Sequence, residues 1–319
     1  MVFITLLFLA LLHLLLYFVV RPRPVTIPIK NRHVFITGGS MGIGLAIAKE
    51  AASEGARISL LAHSLDELKE AKQSIEKAYE NVNVSIFLAD VRDYDAVELA
   101  IKEAGPIDVL VVNHGVYVIE ELENQELDTV KFMIDVNLMG SFNVIKAALP
   151  LIKDRKDRGP ASIAFMSSMT GQIGTYGSAA YSATKFGLRG LAEALQQELI
   201  SDNIHISLIF PPAVDTPGFE EARKNMPEIS KIMVGPDMMK AEEIGKITVN
   251  GIKSGKFCIP CNFVGQMVAI ATAGLSPQRS FFMASIEVVF AGFCRFLALL
   301  AQLKVHGIIQ KWHLQKKQQ

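Results

Sequence analysis

Cysteine is scarce: three in 319 residues, at positions 258, 261 and 294. That is too few for a disulfide framework, so the main domain is expected in a reducing compartment. Cys258-Ile-Pro-Cys261 has the spacing of a redox pair, but no thioredoxin-like pattern surrounds it. Two packed thiols near a last strand are the expectation. Net charge is missing as well. Lys plus Arg and Asp plus Glu are 32 each, which argues against a nucleic-acid surface. No metal ligand set is read from the chain.

Charge is absent from one long stretch in particular. Residues 1–20 carry no Asp, Glu, Lys or Arg, only His13. As a helix they would reach about 30 Å, the thickness of a bilayer core. A cleaved signal peptide would start with a basic residue and end at a small-residue site. Neither is present, so an uncleaved transmembrane anchor is expected. Arg21, Arg23, Lys30 and Arg32 follow with no acid among them, which places the body of the chain in the cytosol. Pro22, Pro24 and Pro28 make 21–32 a stiff extended linker.

What the chain has in plenty is apolar sequence: half of it is hydrophobic and mean hydropathy is +0.30. From His33 onward short apolar strands alternate with amphipathic helices. Strands are expected at 33–37, 57–62, 84–88, 108–112, 162–167 and 204–210. Helices are expected at 42–53, 65–80, 94–104, 127–152 and 176–200. Buried strands each followed by a helix predict an α/β domain over 33–260, a doubly wound parallel sheet of Rossmann type. Residues 211–253 follow a strand's C-terminal end, where they would cover a ligand crevice. Residues 261–303 are hydrophobic again but contain Glu287 and Arg295. Charges at mid-bilayer are costly, so a membrane-associated hairpin is expected there, followed by a polar tail over 304–319. The tail's Lys316-Lys317 resembles a retrieval signal for the endoplasmic reticulum. Asn83-Val84-Ser85 is a glycosylation sequon that matters only in a lumen.

Thr37-Gly38-Gly39-Ser40-Met41-Gly42-Ile43-Gly44 falls between the first strand and the first following helix. Glycines there allow a tight turn and a close approach of backbone to a dinucleotide pyrophosphate, which the helix N-terminus attracts. An NAD site wants an acid just after the second strand. Ala62-His63-Ser64 has none, so Ser40, His63 and Ser64 are read as donors to a 2′-phosphate and the cofactor as NADP(H). Asp90-Val91 is placed to meet the adenine, and Asn113-His114-Gly115 to run along the cofactor. Tyr181 and Lys185 lie four apart on one helix, hence on one face. An ammonium beside a phenol favours the phenolate, so Tyr181 is expected below its ordinary pKa of about 10. Ser168 stands thirteen residues earlier, across a Gly-rich loop.

With Asn137 these residues make a tetrad, and the chain resembles the short-chain dehydrogenase/reductase family. The matching stretches are TGGSMGIG, NHG, Val136-Asn137, SSMTG, YSATK and Pro211-Pro212-Ala213-Val214-Asp215-Thr216. The resemblance implies that Tyr181 protonates a carbonyl as hydride arrives, and that Lys185 tunes Tyr181 and holds the nicotinamide ribose. It also implies that Ser168 bonds the substrate oxygen, Asn137 holds a relay water and Thr216 bonds the nicotinamide amide, with Pro211 and Val214 beside it. Ser167 is the alternative to Ser168. His63 stands where members usually have Arg. Longer stretches such as DVNLMGSFNVIKAALP and DTPGFEE resemble the sphingolipid branch of the family. That branch implies reduction of 3-ketosphinganine with NADPH at the endoplasmic reticulum membrane, with the active site in the cytosol. A homo-oligomer through the long helices is expected by analogy. Another lipid carbonyl, steroid or retinal, and a non-catalytic NADP(H)-binding scaffold remain as alternatives.

Overall fold

The computed structural model describes residues 2–20, 25–155 and 159–317. Arg21, Pro22, Arg23 and Pro24 of the expected linker lie outside them, as do the last two residues. Seven parallel strands form one sheet in the order β3-β2-β1-β4-β5-β6-β9. They are β1 (His33–Thr37), β2 (Arg57–Ala62), β3 (Val84–Leu88), β4 (Val109–Val112), β5 (Ala161–Met166), β6 (Ile204–Phe210) and β9 (Cys258–Pro260). Two-residue strands β7 (Val214–Asp215) and β8 (Met239–Lys240) pair separately. The predicted doubly wound parallel sheet is present, and its strand order reverses direction at β1.

Successive strand residues point to opposite faces, and both faces are covered. Val34, Ile36, Ile58, Leu60, Val109 and Val111 pack toward α2 (Gly42–Ser53), α3 (Leu65–Ala78) and α10 (Ala241–Lys253). Phe35, Leu61, Leu110, Val112, Ile163 and Phe165 pack toward α4 (Tyr94–Ala104), α6 (Gly140–Lys153) and α7 (Ala179–Glu198). This double burial is why the strands read as unbroken apolar runs. At one helix contact, α2 and α10 come so close that a Cβ on Gly245 would sit 2.8 Å from the Ala46 backbone. Cys258 and Cys261 are unbonded. Burial pushes both thiols up to about 12, so neither has thiolate character at neutral pH.

Four expectations need correction. The described part of the linker, 25–32, belongs to the body: Ile27 and Ile29 are buried in the core, and Ile27 N–H donates to the Lys253 carbonyl at 2.9 Å. The alternation Val25, Ile27, Ile29 is a strand-like signal that the flanking prolines masked. Next, the helix expected over 127–152 is interrupted. α5 (Leu127–Ile134) passes through a π-helical turn, Asp135–Met139, before α6. The strand and helix ends also shift: α7 begins at Ala179 rather than 176, because Ser178 ends a turn with Thr175. Finally, the hydrophobic hairpin and polar tail are not separate. After α11 (Phe263–Ala271), one helix α12 (Phe281–Lys316) runs through both. Its polar end continues the same i→i+4 hydrogen-bond ladder, and no Pro or Gly pair interrupts it. At the other end of the chain α1 spans Val2–Val20.

Replacing Ile27 by Ala removes a side chain that is 1% exposed. It is expected to lower unfolding free energy by about 2–4 kcal/mol, read as a lower denaturation midpoint in urea. A true linker residue would leave the midpoint unchanged.

Candidate active site

The C-terminal ends of β1, β4, β5 and β6 carry the candidate site. Gly38 and Gly42 both have left-handed φ, +61° and +54°, a region that favours glycine. A Cβ on Gly44 would lie 2.0 Å from the Gly38 carbonyl oxygen, so the turn tolerates no side chain there. Met41 offers α2 no side-chain cap. The first N–H groups and positive end of α2 are thus left for an anion. This cradle fits a dinucleotide pyrophosphate.

Several expected cofactor residues turn out to brace the cradle. Thr37 is fully buried, and its hydroxyl is shared among His114 Nδ1 at 2.7 Å, the Asn113 N–H and the Val111 carbonyl. In this arrangement the Thr37 side chain supports the turn. Asn113 donates its side-chain amide to the Gly38 carbonyl at 2.9 Å, tying β4 to the turn. His114 points into the interior, and burial pushes its pKa down to about 3. Ser40 donates to Glu67 of α3 at 3.1 Å, an acid the sequence reading did not single out. His63 is exposed after β2, with Ser64 half-buried beside it. Asp90 is held below the usual carboxylate range, chiefly by its hydrogen bond from Arg92 and in part by the His63 charge. Val91 is buried against Gly140.

The tetrad residues do converge. Lys185 is 3% exposed, and its ammonium donates to the Met166 carbonyl at the end of β5, 2.9 Å away. It lies 5.5 Å from the centre of the Tyr181 ring. Asn137 sits within the π turn, fully buried. It accepts the Val116 N–H and donates to the Val116 carbonyl, both at 2.8 Å, and donates to Thr184 at 3.1 Å. The expected water-holding role finds no support in this side chain, whose amide is spent on protein groups. A Cβ on Gly115 would lie 3.3 Å from Asn137 Oδ1 and 3.4 Å from Lys185 Nζ, so this glycine lets both approach the same point. Ser168 hydrogen-bonds to Tyr181 and accepts the Thr170 N–H at 3.2 Å. Ser167 instead donates to the Lys185 carbonyl at 3.2 Å, which leaves Ser168 as the reactive candidate.

The expected pKa relation is not met. Burial dominates and pushes Tyr181 up to about 12, with the Ser168 hydrogen bond opposing. Burial also pushes Lys185 down to about 8. The Lys185 ammonium donates to the Met166 carbonyl, and burial outweighs the pull of its charge on the phenol.

Thr216 caps α8 (Pro217–Asn225) by accepting the Phe219 N–H at 3.2 Å, and its methyl faces Gly42. The Pro211 carbonyl accepts the Met169 N–H at 3.0 Å, and Val214 is buried. Sequence reasoning missed two residues here. Tyr117 places its ring 5.2 Å from Tyr181 and 6.0 Å from Phe219 of α8. Among the described residues its buried hydroxyl has no partner, and burial raises its pKa. The only signal was an aromatic residue just after Asn113-His114-Gly115.

Comparisons with known proteins agree with this geometry. The short chain dehydrogenase family profile matches residues 32–227. A 3-dehydrosphinganine reductase of Arabidopsis thaliana is 57% identical over 98% of this chain and 95% of its own. A 3-dehydrosphinganine reductase of Danio rerio is 36% identical over 96% of this chain and 94% of its own. Among solved structures, levodione reductase superposes with a TM-score of 0.68 at 25% identity, covering 75% of this chain and 98% of that one. A short chain dehydrogenase from Mycobacterium paratuberculosis bound to NAD gives 0.64 at 26%, covering 73% and 97%.

Lys185's pKa is lower folded than unfolded. Its burial therefore costs most below pH of about 8, where the amine is charged, and the cost fades as pH rises toward 10.5. Lys185→Met is expected to lose turnover yet gain about 1–3 kcal/mol of stability at pH 7. That gain should shrink toward pH 10, as read by denaturation at both pH values.

Proposed function

The chain belongs to the short-chain dehydrogenase family, and on that premise we propose that it reduces 3-dehydrosphinganine (3-ketosphinganine) to sphinganine with NADPH. The chain is an oxidoreductase with a nicotinamide cofactor site. The observation that carries the substrate reading is the converged Ser168, Tyr181, Lys185 and Asn137 group in a chain similar over nearly its full length to reductases named for that ketone.

The bound nicotinamide would supply a hydride to the carbonyl carbon. Tyr181, a neutral phenol at physiological pH with a pKa near 12, holds its proton until the carbonyl oxygen gains charge, then gives it up. Ser168 donates a hydrogen bond to that same oxygen and stabilises the developing charge. Lys185, about 8 in pKa, is charged at neutral pH, and in the proposed role it would hold the cofactor ribose beside Tyr181. Asn137 fixes Val116 and Thr184 around them. The Tyr117 ring lies against Tyr181, and Phe219 stacks on Tyr117.

NADPH is favoured over NADH because Ala62-His63-Ser64 carries no acid to bond a ribose 2′-hydroxyl. Glu67, beside Ser40, works against a 2′-phosphate through its negative charge. α1 is 19 residues with no charged side chain, suited to anchoring the chain in the endoplasmic reticulum membrane, with the catalytic body (25–260) on the cytosolic side. A membrane-resident long-chain substrate suits that attachment. α12 also has the length and hydropathy of a span.

The test is sphinganine formation from 3-dehydrosphinganine in membranes containing the protein, with NADPH oxidation followed in parallel. Tyr181→Phe is expected to lower kcat at least about 100-fold with NADPH binding kept. Equal product from both proteins would remove Tyr181 as the acid. No product from the intact chain, with NADPH bound, would assign it another lipid carbonyl or a non-catalytic role. Glu67→Gln is expected to lower the KM for NADPH severalfold and leave that for NADH unchanged, because it removes only the repulsion of a 2′-phosphate.

A further inference from the structure

α12 has the length of a membrane span, but the structure fastens both of its ends to the same body. Ahead of its first turn, Arg189 of α7 donates to the Thr272 and Ala273 carbonyls and to Ser276 at 2.6–3.1 Å. Arg279 meets His205 of β6 at 2.7 Å. Near its last turn, His313 Nε2 lies 3.2 Å from the Tyr176 hydroxyl, which also donates to Glu121 at 2.6 Å. Tyr176 lies just ahead of α7, in the loop that leads into the helix turn carrying Tyr181, and its carbonyl accepts from Ser230 of α9 (Glu228–Val234). The 36 residues of α12 cover about 54 Å. A helix held at both ends against one side of a domain does not place those ends on opposite sides of a bilayer.

Its two faces differ. Ala284, Ala291, Cys294, Ala298, Val305 and Trp312, spaced by threes, fours and sevens, form the less exposed side. Small residues there let the helix lie close against its neighbours. Phe282, Val289, Phe293, Phe296, Leu300 and Leu303 have the same spacing half a turn away, and all are exposed, Phe282 at 71% and Leu303 at 69%. This apolar stripe is about 32 Å long at 1.5 Å per residue and exceeds anything a water-facing helix needs.

We propose that α12 lies flat in the interface of a lipid bilayer, its Phe and Leu stripe at the acyl boundary, so that the membrane adjoins the loop ahead of α7 that leads to Tyr181. The proposal rests on the membrane reading of α1 given above. The stripe is continuous with that anchor: His13 and Tyr17 of α1 pack on Phe281, the first residue of α12, with ring centres 6.3 and 6.0 Å apart. The charge also fits a lipid surface. From Phe281 to the end the chain carries Arg295, Lys304, Lys311, Lys316 and Lys317 against a single acid, Glu287, which accepts from Gln278 at 2.7 Å. Four of the five cations, from Lys304 on, follow the stripe along the chain, where anionic headgroups would meet them. The His313 contact with Tyr176, five residues before Tyr181, brings that end of α12 to the loop leading into the reactive helix.

The full chain, reconstituted in sealed vesicles of phosphatidylcholine and phosphatidylserine, tests this without reading turnover. Label positions are mapped by peptide so that the native thiols are read separately. Glu80→Cys on the body and Gln315→Cys at the end of α12 are expected to react with a membrane-impermeant maleimide from the same side. A fluorophore on Phe293→Cys is expected to be quenched at least threefold more by lipids spin-labelled near the headgroup than by lipids labelled at the chain end. Labelling of the two thiols from opposite sides, or stronger quenching from the chain end, would make α12 a span. Quenching by aqueous iodide instead would put the stripe in water, and no quenching by either would mean that protein covers it. Each of these overturns the proposal while leaving the reductase reading to its own assay.

Discussion

A buried ammonium must be surrounded by acceptors or give up its charge, and Lys185 sets that requirement for the centre of this molecule. Its amine reaches the Met166 carbonyl because β5 ends there. It comes close to Asn137 only because residue 115 has no side chain. Asn137 in turn takes its place from a π-helical turn in what is otherwise a long regular helix, the sort of local irregularity found at functional positions. Strand end, glycine and π turn come from three separate parts of the chain and meet at one cation. Its lowered pKa is the cost of that placement.

The same economy of space governs the cofactor cradle. Gly38, Gly42 and Gly44 bring backbone to within contact of backbone. The residues around them, Thr37, Asn113 and His114, spend their polar atoms on the turn itself. A rigid cradle presents N–H donors without reorganising when an anion arrives, which is where such sites gain affinity. On the NADPH reading proposed above, selectivity for the 2′ substituent would fall to side chains outside that turn, His63, Ser64 and the Ser40–Glu67 pair.

The surplus of apolar sequence that the core does not use lies at the two ends of the chain. α1 and α12 meet at Phe281, and their outward sides remain exposed. The distribution follows from topology. The sheet is already covered on both faces by α2, α3, α4, α6, α7 and α10, so no further apolar helix can enter the core. It can pack only against the outside, leaving one side for another solvent.

Much of this was legible in the sequence. The strand-helix alternation, the Gly-rich turn at the first strand's end, and the Tyr181–Lys185 pair with Ser168 are local patterns. Local patterns survive because periodicity and backbone sterics act over a few residues. The sequence by itself therefore determined the sheet and the Gly-rich cradle, and marked out Ser167, Ser168, Tyr181 and Lys185 as candidates. Only the tertiary structure decided between Ser167 and Ser168, turned Thr37 and Asn113 into braces, and set Tyr117 against Tyr181. It also brought Glu67 to Ser40, drew Ile27 into the core and fastened α12 at both ends. Each of these depends on a hydrogen bond or packing contact between residues far apart in the chain, or on the depth of burial there. Desolvation raised Tyr181 where adjacency to Lys185 predicted the reverse, because the electrostatic balance of a site depends on what surrounds a charge in three dimensions.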